Sequence, residues 1–357
     1  MPHEAFMRAA LRLAKKGLGR TSPNPAVGVV IVKRGRVIGK GYHRKAGLPH
    51  AEIEALGSAN DVKGGTLYVT LEPCRHFGRT PPCTEAIIAS GIKKVVVGAV
   101  DPNPLVRGKG IARLKKAGVA VTSGVLEDEC SALNEAYNYY ITTGLPFVTL
   151  KLASTLDGRI ATSKGESQWI TGVEARKVVH RMRSLNDAVM IGSGTALKDD
   201  PALTVRLIKG RNPIKALLDS AFKTPLSAKV FGNGRVIVFT TRKAPKKKLE
   251  NARRLGAEVI IAPSSSEGVD TGFVMKELGK REVTSVLAEG GGRLAASLLR
   301  RGLVSKAAIF LSPKFLGNDA FASVGALGLK RLKDAPALKE IKGTNIGGDI
   351  LVEGYIK

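Results

Sequence analysis

Cysteine is scarce: three occur in 357 residues, at positions 74, 83 and 130. So few build no disulfide framework, and a reducing cytoplasmic setting suits the chain. Aromatics are also sparse at 5%, with a single tryptophan, which leaves little surface on which nucleic-acid bases could stack. No apolar run is long enough to span a bilayer. Internal repeats and low-complexity segments are missing, and Met1-Pro2-His3-Glu4 opens into an amphipathic helix instead of a signal peptide. The G-x-G-x-x-G turn of ordinary dinucleotide-binding folds does not occur.

What is present is length, apolar residues and positive charge. A chain of 357 residues that is 43% apolar exceeds one average core and is expected to form two domains. The formal net charge is +27, from 57 Lys and Arg against 30 Asp and Glu. The excess is spread out: residues 1–145 carry +10 and the remainder +17, and clusters are short, as at Lys246-Lys247-Lys248. With no basic tail, the charge reads as a solvated surface and a field that favours small anionic substrates, with no nucleic-acid partner expected.

Residues 50 to 83 concentrate the chemistry: His50-Ala51-Glu52, Pro73-Cys74 and Pro82-Cys83. One imidazole and two thiolates suit a catalytic zinc that keeps a fourth position open for water. Zinc lowers the pKa of a bound water to about 7. Glu52 need not be a ligand; it can take the proton and return it to a ring nitrogen and a leaving amine. His50 is expected where a helix starts, with Glu52 in its first turn. Cys83 precedes a helix beginning at Thr84, whose N-terminus favours the thiolate. H-x-E followed by P-C-x-x-C is the signature of zinc-dependent base deaminases. Here eight residues, Arg75 to Pro82, separate the cysteines where that signature has two. A closed structural knuckle would need a fourth ligand, for which His43 and His76 are the near candidates. Cys130 reads as a small packed residue.

Apolar spacing predicts a helix over 3–16, with Phe6, Ala10, Leu13 and Ala14 on one face, and a buried strand over 26–32. A Lys33-Arg34-Gly35 turn leads to a partner strand from Arg36. A strand over 66–71, a helix over 84–90, a strand over 95–100, a helix over 111–117, a strand at 119–121 and one helix over 127–141 follow. The alternation implies an α/β sandwich, with both cysteine motifs where strands end and helices begin. Thr142 to Pro146 marks a boundary. The second half reads as a strand over 147–152, a hairpin turn at Leu156-Asp157-Gly158-Arg159, a basic helix over 173–184 and a strand over 188–191. Further strands are expected at 213–218, 235–239, 257–261, 284–288 and 306–311, and helices at 246–255, 272–279 and 293–301. Beyond 312, only Asp349 to Glu353 is strand-like.

Two glycine turns mark the second half, Gly192-Ser193-Gly194-Thr195 and Gly290-Gly291-Gly292. Glycines between a strand and a helix let backbone amides approach a phosphate, though a bare turn would look the same. Trp169 alone would more often be core than a ligand platform.

These stretches resemble the bifunctional deaminase–reductases of the riboflavin pathway. In the first half the resemblance rests on Pro23-Asn24-Pro25, His50-Ala51-Glu52, Glu72-Pro73-Cys74 and the run His76 to Cys83, whose long cysteine spacing that family shares. In the second it rests on Lys151 to Ala161, Gly165 to Thr171, Asp199 to Arg206 and Glu289 to Gly292. The resemblance implies a zinc-dependent pyrimidine deaminase domain over 1–145, with a cytidine-deaminase-like α/β/α sandwich. It implies an NADPH-dependent reductase domain over 146–357, an α/β fold similar to dihydrofolate reductase. His50, Cys74 and Cys83 would hold Zn2+, Glu52 would shuttle protons, and Asn24, His43, His76 and Arg79 would line the pyrimidine pocket. Ala153, Trp169, Thr195, Asp199, Gly290, Gly291 and Gly292 would contact NADPH. Ser167, Arg183, Leu203, Arg206 and Glu289 would contact a phosphorylated pyrimidine substrate, the two arginines gripping its phosphate. A cytoplasmic homo-oligomer is expected. A nucleic-acid deaminase such as a tRNA adenosine deaminase would account for the zinc motif and the charge but leaves the second half unexplained. A basic RNA-binding protein with a structural zinc ranks last.

Overall fold

The structure, a computed structural model, describes residues 2–75 and 82–357. The chain divides into two compact units, Met1–Leu145 and Pro146–Lys357.

The first unit contains α1 (Pro2–Ala14), β1 (Gly28–Lys33), β2 (Arg36–Tyr42), α2 (Ala51–Gly57), β3 (Thr66–Leu71) and α3 (Cys83–Ala89). It continues with β4 (Lys94–Ala99), α4 (Lys109–Lys116), β5 (Ala120–Ser123), α5 (Glu127–Leu133) and α6 (Glu135–Thr143). Its sheet runs β2-β1-β3-β4-β5, antiparallel across the first three strands and parallel across the last three. At the β1–β2 turn Arg34 and Gly35 take φ of 50° and 73°, which suits a two-residue hairpin.

β1, β3 and β4 read as unbroken apolar runs because both of their faces are covered. Val29, Ile31, Leu67, Val69, Val95 and Val97 pack against Ala51 and Ala55 of α2, Ile87 of α3 and Leu114 of α4. The alternate residues Val30, Val32, Tyr68, Leu71 and Val96 pack against Met7, Ala10 and Leu11 of α1, Cys130 of α5 and Tyr137 of α6. Each fully buried valine or leucine contributes about 1.5–3 kcal/mol. On α1 the fully buried stripe is Met7, Ala10, Leu11 and Ala14, with Phe6 and Leu13 only partly covered. α2 lies close on β2: a Cβ at Gly41 would sit 2.3 Å from the Ala51 carbonyl oxygen.

The expected single helix over 127–141 is two helices, broken at Asn134. The side chain of Asn134 explains the break. Its Oδ1 accepts from Ala26 N at 2.8 Å and its Nδ2 donates to Ala26 O at 3.0 Å. It therefore satisfies a buried backbone pair far away in sequence at the cost of helical continuity.

The second unit contains β6 (Phe147–Thr155), β7 (Arg159–Ala161), α7 (Val173–Leu185), β8 (Ala188–Gly192), α8 (Ser193–Asp199), β9 (Ile214–Leu218), β10 (Val236–Thr240), α9 (Lys246–Arg254) and β11 (Glu258–Ile261). A small hairpin of β12 (Ser264–Ser265) and β13 (Gly268–Val269) precedes α10 (Thr271–Lys280), β14 (Ser285–Ala288), α11 (Gly292–Arg300) and β15 (Lys306–Ser312). Last come β16 (Phe321–Ala322), β17 (Leu338–Ile346) and β18 (Asp349–Ile356). The main sheet runs β11-β10-β9-β8-β14-β6-β15-β18-β17. It is parallel from β11 to β15 and antiparallel at β18 and β17.

The turn at Leu156 to Arg159 is present, but it does not join a hairpin. β6 pairs with β14 and β15, whereas β7 leaves the sheet to pair with β16. β17 was not foreseen: this edge strand is exposed over most of its length and carries Lys339, Glu340 and Lys342 instead of an apolar run.

Replacing Asn134 by alanine leaves two buried backbone groups of Ala26 without partners, a loss of about 2 kcal/mol. The urea midpoint of the first unit's unfolding should fall accordingly in N134A, and an unchanged midpoint would count against the assigned role.

Candidate active sites

In the first unit the site forms where strand ends meet helix starts. His50 is the N-cap of α2, in extended conformation, and Glu52 lies in the first turn of that helix. Cys74 follows β3, and Cys83 opens α3 behind Pro82. His50 Nδ1 lies 3.2 Å from Cys83 Sγ and 3.7 Å from Cys74 Sγ, and the backbone N–H of Cys83 donates to Cys74 Sγ at 3.5 Å. These three ligand atoms all lie within 4.8 Å of one another. A tetrahedral zinc with bonds of about 2.0–2.1 Å to nitrogen and 2.3 Å to sulfur has N···S edges of about 3.5 Å. The donor set and its spacing therefore fit zinc.

Two further groups frame the cluster. The Glu52 carboxyl is 4% exposed, and burial pushes its pKa up to about 7. His43 is buried behind His50, the rings 5.3 Å apart and edge-on. Nδ1 of His43 lies 3.1 Å from Pro49 O, and Nε2 lies 3.2 Å from Asn24 Nδ2. A neutral ring that donates from Nδ1 and accepts at Nε2 satisfies both contacts, and burial lowers the His43 pKa in keeping with that form. With both nitrogens engaged, His43 is not available as a fourth metal ligand. Within the cluster, a hydrogen bond from the Cys83 thiol and the nearby His50 imidazole favour Cys74 as the thiolate, down to about 4, while donating to Cys74 and burial push Cys83 up. His76 and Arg79 lie outside the described residues.

Sequence reasoning placed Glu72 in the Glu72-Pro73-Cys74 motif but gave it no role. This buried carboxylate accepts from the backbone N–H groups of Gly108 and Gly110 at 2.9 Å, Ile111 at 3.1 Å and Asp101 at 3.4 Å. It thereby caps α4 and ties that helix to the strand end that carries Cys74. Gly110 is required there, since a Cβ would fall 2.0 Å from Pro73 O. The only sequence signal was an acid at the end of an apolar strand.

In the second unit one cavity of about 1240 Å³ gathers Ala153, Ser167, Trp169, Arg183, Thr195, Asp199, Leu203, Arg206, Glu289, Gly290, Gly291 and Gly292. All twelve residues expected there from the second half thus face one space. The two glycine turns lie at the carboxyl ends of the neighbouring strands β8 and β14, where open α/β sheets bind ligands. Their glycines differ in cause. A Cβ at Gly292 would meet Ala322 O at 2.7 Å, and one at Gly290 would meet the Leu294 side chain at 2.6 Å. A Cβ at Gly291 would find only Thr195 Oγ1 at 3.8 Å, and the Gly291 N–H donates to that oxygen at 3.2 Å. Packing thus explains two of the glycines, and Gly291 is the one that opens backbone to the cavity.

Glu289 and Arg183 form a bidentate pair, Nε to Oε1 at 2.6 Å and Nη2 to Oε2 at 2.8 Å, both largely buried. The fork of Arg183 is thus already occupied, whereas the side chain of Arg206 is exposed at the rim. Ser167 donates to Asp199 Oδ1 at 2.9 Å. Trp169 is 56% exposed, and the Arg176 guanidinium lies over its ring at 4.2 Å. Lys151, Arg176 and His180 also line the cavity and were not singled out from sequence. For Lys151 the signal was a lone cation inside an apolar strand. Burial lowers its pKa, with Glu289 opposing.

Among the described residues no helix is long and apolar enough to cross a membrane. The model of the cytidine and deoxycytidylate deaminase zinc-binding region matches residues 1–99, and that of the RibD C-terminal domain matches residues 146–352. The chain is 45% identical over 349 residues to riboflavin biosynthesis protein RibD of Aquifex aeolicus, covering 97% of this chain and 96% of that one. It is 41% identical to RibD of Escherichia coli, covering 98% of each. Among solved structures, Acinetobacter baumannii RibD superposes with a TM-score of 0.90 at 38% identity, covering 100% of this chain and 99% of its own. A diaminohydroxyphosphoribosylaminopyrimidine deaminase/5-amino-6-(5-phosphoribosylamino)uracil reductase from Thermotoga maritima gives 0.90 at 41% identity with the same coverage. The first unit is accordingly the cytidine-deaminase-like sandwich, and the second the dihydrofolate-reductase-like α/β fold.

Glu72→Gln would set an NH2 group against the backbone N–H groups that now converge on a carboxylate. A loss of about 2–3 kcal/mol is expected, with weaker zinc retention on dialysis against a chelator. Retention and thermal midpoint equal to wild type would show that the carboxylate is dispensable.

Proposed function

The chain belongs to the RibD family, bifunctional deaminase–reductases of riboflavin biosynthesis, and we propose the following division of work among its residues. The first unit hydrolyses the exocyclic amine of 2,5-diamino-6-(5-phosphoribosylamino)pyrimidin-4-one. The second reduces the ribosyl group of the resulting aminouracil to ribityl. The observation that supports this best is the convergence of His50, Cys74 and Cys83 on one point with the buried carboxyl of Glu52 beside them.

His50, Cys74 and Cys83 would hold zinc, which when bound supplies Lewis-acid activation of water near neutral pH. Glu52 takes one proton of the water and gives it to the ring nitrogen, then carries the remaining hydroxyl proton to the departing amine, so that ammonia leaves as the carbonyl forms. Asn24, its Nδ2 held by the buried His43, would present its remaining amide oxygen to the pyrimidine, so that His43 serves the pocket by fixing Asn24, with His76 and Arg79 assigned to the same pocket by resemblance. In the second unit Ala153, Trp169, Thr195, Asp199 and the Gly290–Gly292 turn would seat NADPH, which supplies hydride for the first carbon of the sugar. Ser167, Leu203 and Glu289 face the substrate. Arg183 orients Glu289, and the phosphate falls to Arg206, whose side chain stands at the rim. Lys151, a partly buried cation that lines the same cavity as Glu289, is placed to give the proton that reduction requires.

The free cysteines fit a reducing cytoplasm. Family membership along both units favours a small phosphorylated pyrimidine over nucleic acid as substrate.

Glu52→Gln keeps all three metal ligands. It should retain zinc by elemental analysis yet release ammonia on the order of a thousandfold more slowly. Wild-type turnover would remove Glu52 from proton transfer. Arg206→Ala should raise the KM of the phosphorylated reductase substrate about tenfold while leaving NADPH affinity in place. An equal loss for both ligands would move Arg206 to the cofactor.

A further inference from the structure

The wall that carries Ser167 and Trp169 has no ladder of its own. Between β7 and α7 the chain forms neither helix nor strand, and its internal bonds, Gly165 N to Thr162 O at 2.8 Å and Thr162 N to Glu166 O at 2.9 Å, stop short of Ser167. Beyond that point side chains from elsewhere hold it. Ser167 is held by Asp199, as described. Lys314 Nζ donates to Trp169 O at 3.2 Å and to Ile170 O at 3.1 Å. Asp349 Oδ2 accepts from Gly172 N at 2.7 Å.

Gly172 is the N-cap of α7, so a carboxylate there meets both a free N–H and the positive end of a thirteen-residue helix. Asp349 is only 5% exposed, so the bond is sheltered from competing water. Lys314 is exposed, but its backbone is firmly mounted. Its carbonyl accepts from Leu156 N at 3.0 Å, and Asp157 Oδ2 holds the next turn through Leu316 N at 3.0 Å and Gly317 N at 2.8 Å. Both anchors come from the stretch beyond 312, to which sequence reasoning gave no role.

We propose that Asp349 and Lys314 are positioning residues for the reductase cavity: from the C-terminal segment they hold the 167–171 wall so that Ser167 and Trp169 keep their places. The proposal rests on the reading of that cavity as the reductase site. A loosened wall must be ordered each time the substrate binds, a cost that appears in KM.

Trp169 is the only tryptophan in the chain, so its fluorescence reports on this wall directly. The test compares full-length wild type, D349N and K314M by acrylamide quenching of Trp169, NADPH oxidation kinetics and ammonia release on one preparation. In D349N the quenching constant should rise about twofold and the KM of the reductase substrate about fivefold, with kcat within about twofold. K314M, at an exposed position that cannot unfold the unit, should move both in the same direction by about half as much. Ammonia release should not change in either. Unchanged quenching in both variants overturns the anchoring, and altered quenching with an unchanged KM overturns the positioning role. Failure of the wild type to oxidise NADPH would instead count against the reductase reading, and quenching would still decide the anchors.

Discussion

Backbone N–H groups that leave a strand end or start a helix inside the protein must find acceptors where water does not reach, and in this chain buried carboxylates supply them. Glu72 gathers four such groups around the start of α4. Asp219 Oδ2 takes the N–H and hydroxyl of Thr224 at 2.8 and 2.7 Å. Asp187 Oδ2 takes the N–H and hydroxyl of Thr284 at 2.9 and 2.8 Å. Asp349 takes the N–H of Gly172. The chemistry of both units lies at the same kind of seam, so the order of the site depends on these acceptors as much as on the reacting groups.

Glu52 and Glu72 show how surroundings set two buried carboxyls apart. Its carboxyl has the backbone of its own residue and the Cys83 side chain against it, yet burial outweighs both and carries it up to about 7. A carboxyl poised there can both accept and release a proton near neutrality. Glu72, by contrast, is surrounded by backbone donors that fix it in place, a condition that suits a clamp.

Much of the fold was legible from apolar runs. The strands at 214–218, 236–240, 258–261 and 285–288 lie within about a residue of where patterning put them, because buried parallel strands are written as unbroken β-branched and aliphatic stretches. The failures share a cause: long-range partners. The helix break at Asn134 is set by Ala26, the destination of β7 by β16, and the existence of β17 by its ladder with β18, since its own residues, mostly polar or charged, are exposed over most of the strand. The metal cluster was legible because histidine and cysteine at that spacing have few other uses. Lys151, Glu72 and Asp349 were not, because a lone charge in an apolar stretch reads as noise until the groups around it are known.

The charge balance inside the second unit's cavity bears on what it admits. Lys151 is partly buried and Arg183 largely buried near Glu289, and Arg176 and Arg206 line the same space. His180 is driven down to about 4 by burial and by Arg183 and Arg206, so it stays neutral there near pH 7. Glu289 is spent on Arg183 and cannot also neutralise the other cations. Burying uncompensated positive charge is unfavourable, and an anionic ligand relieves that cost as it binds. The positive charge that faces this cavity is thus graded, from the partly buried Lys151 to Arg206 at the rim, and salt screens the inner end less than the outer.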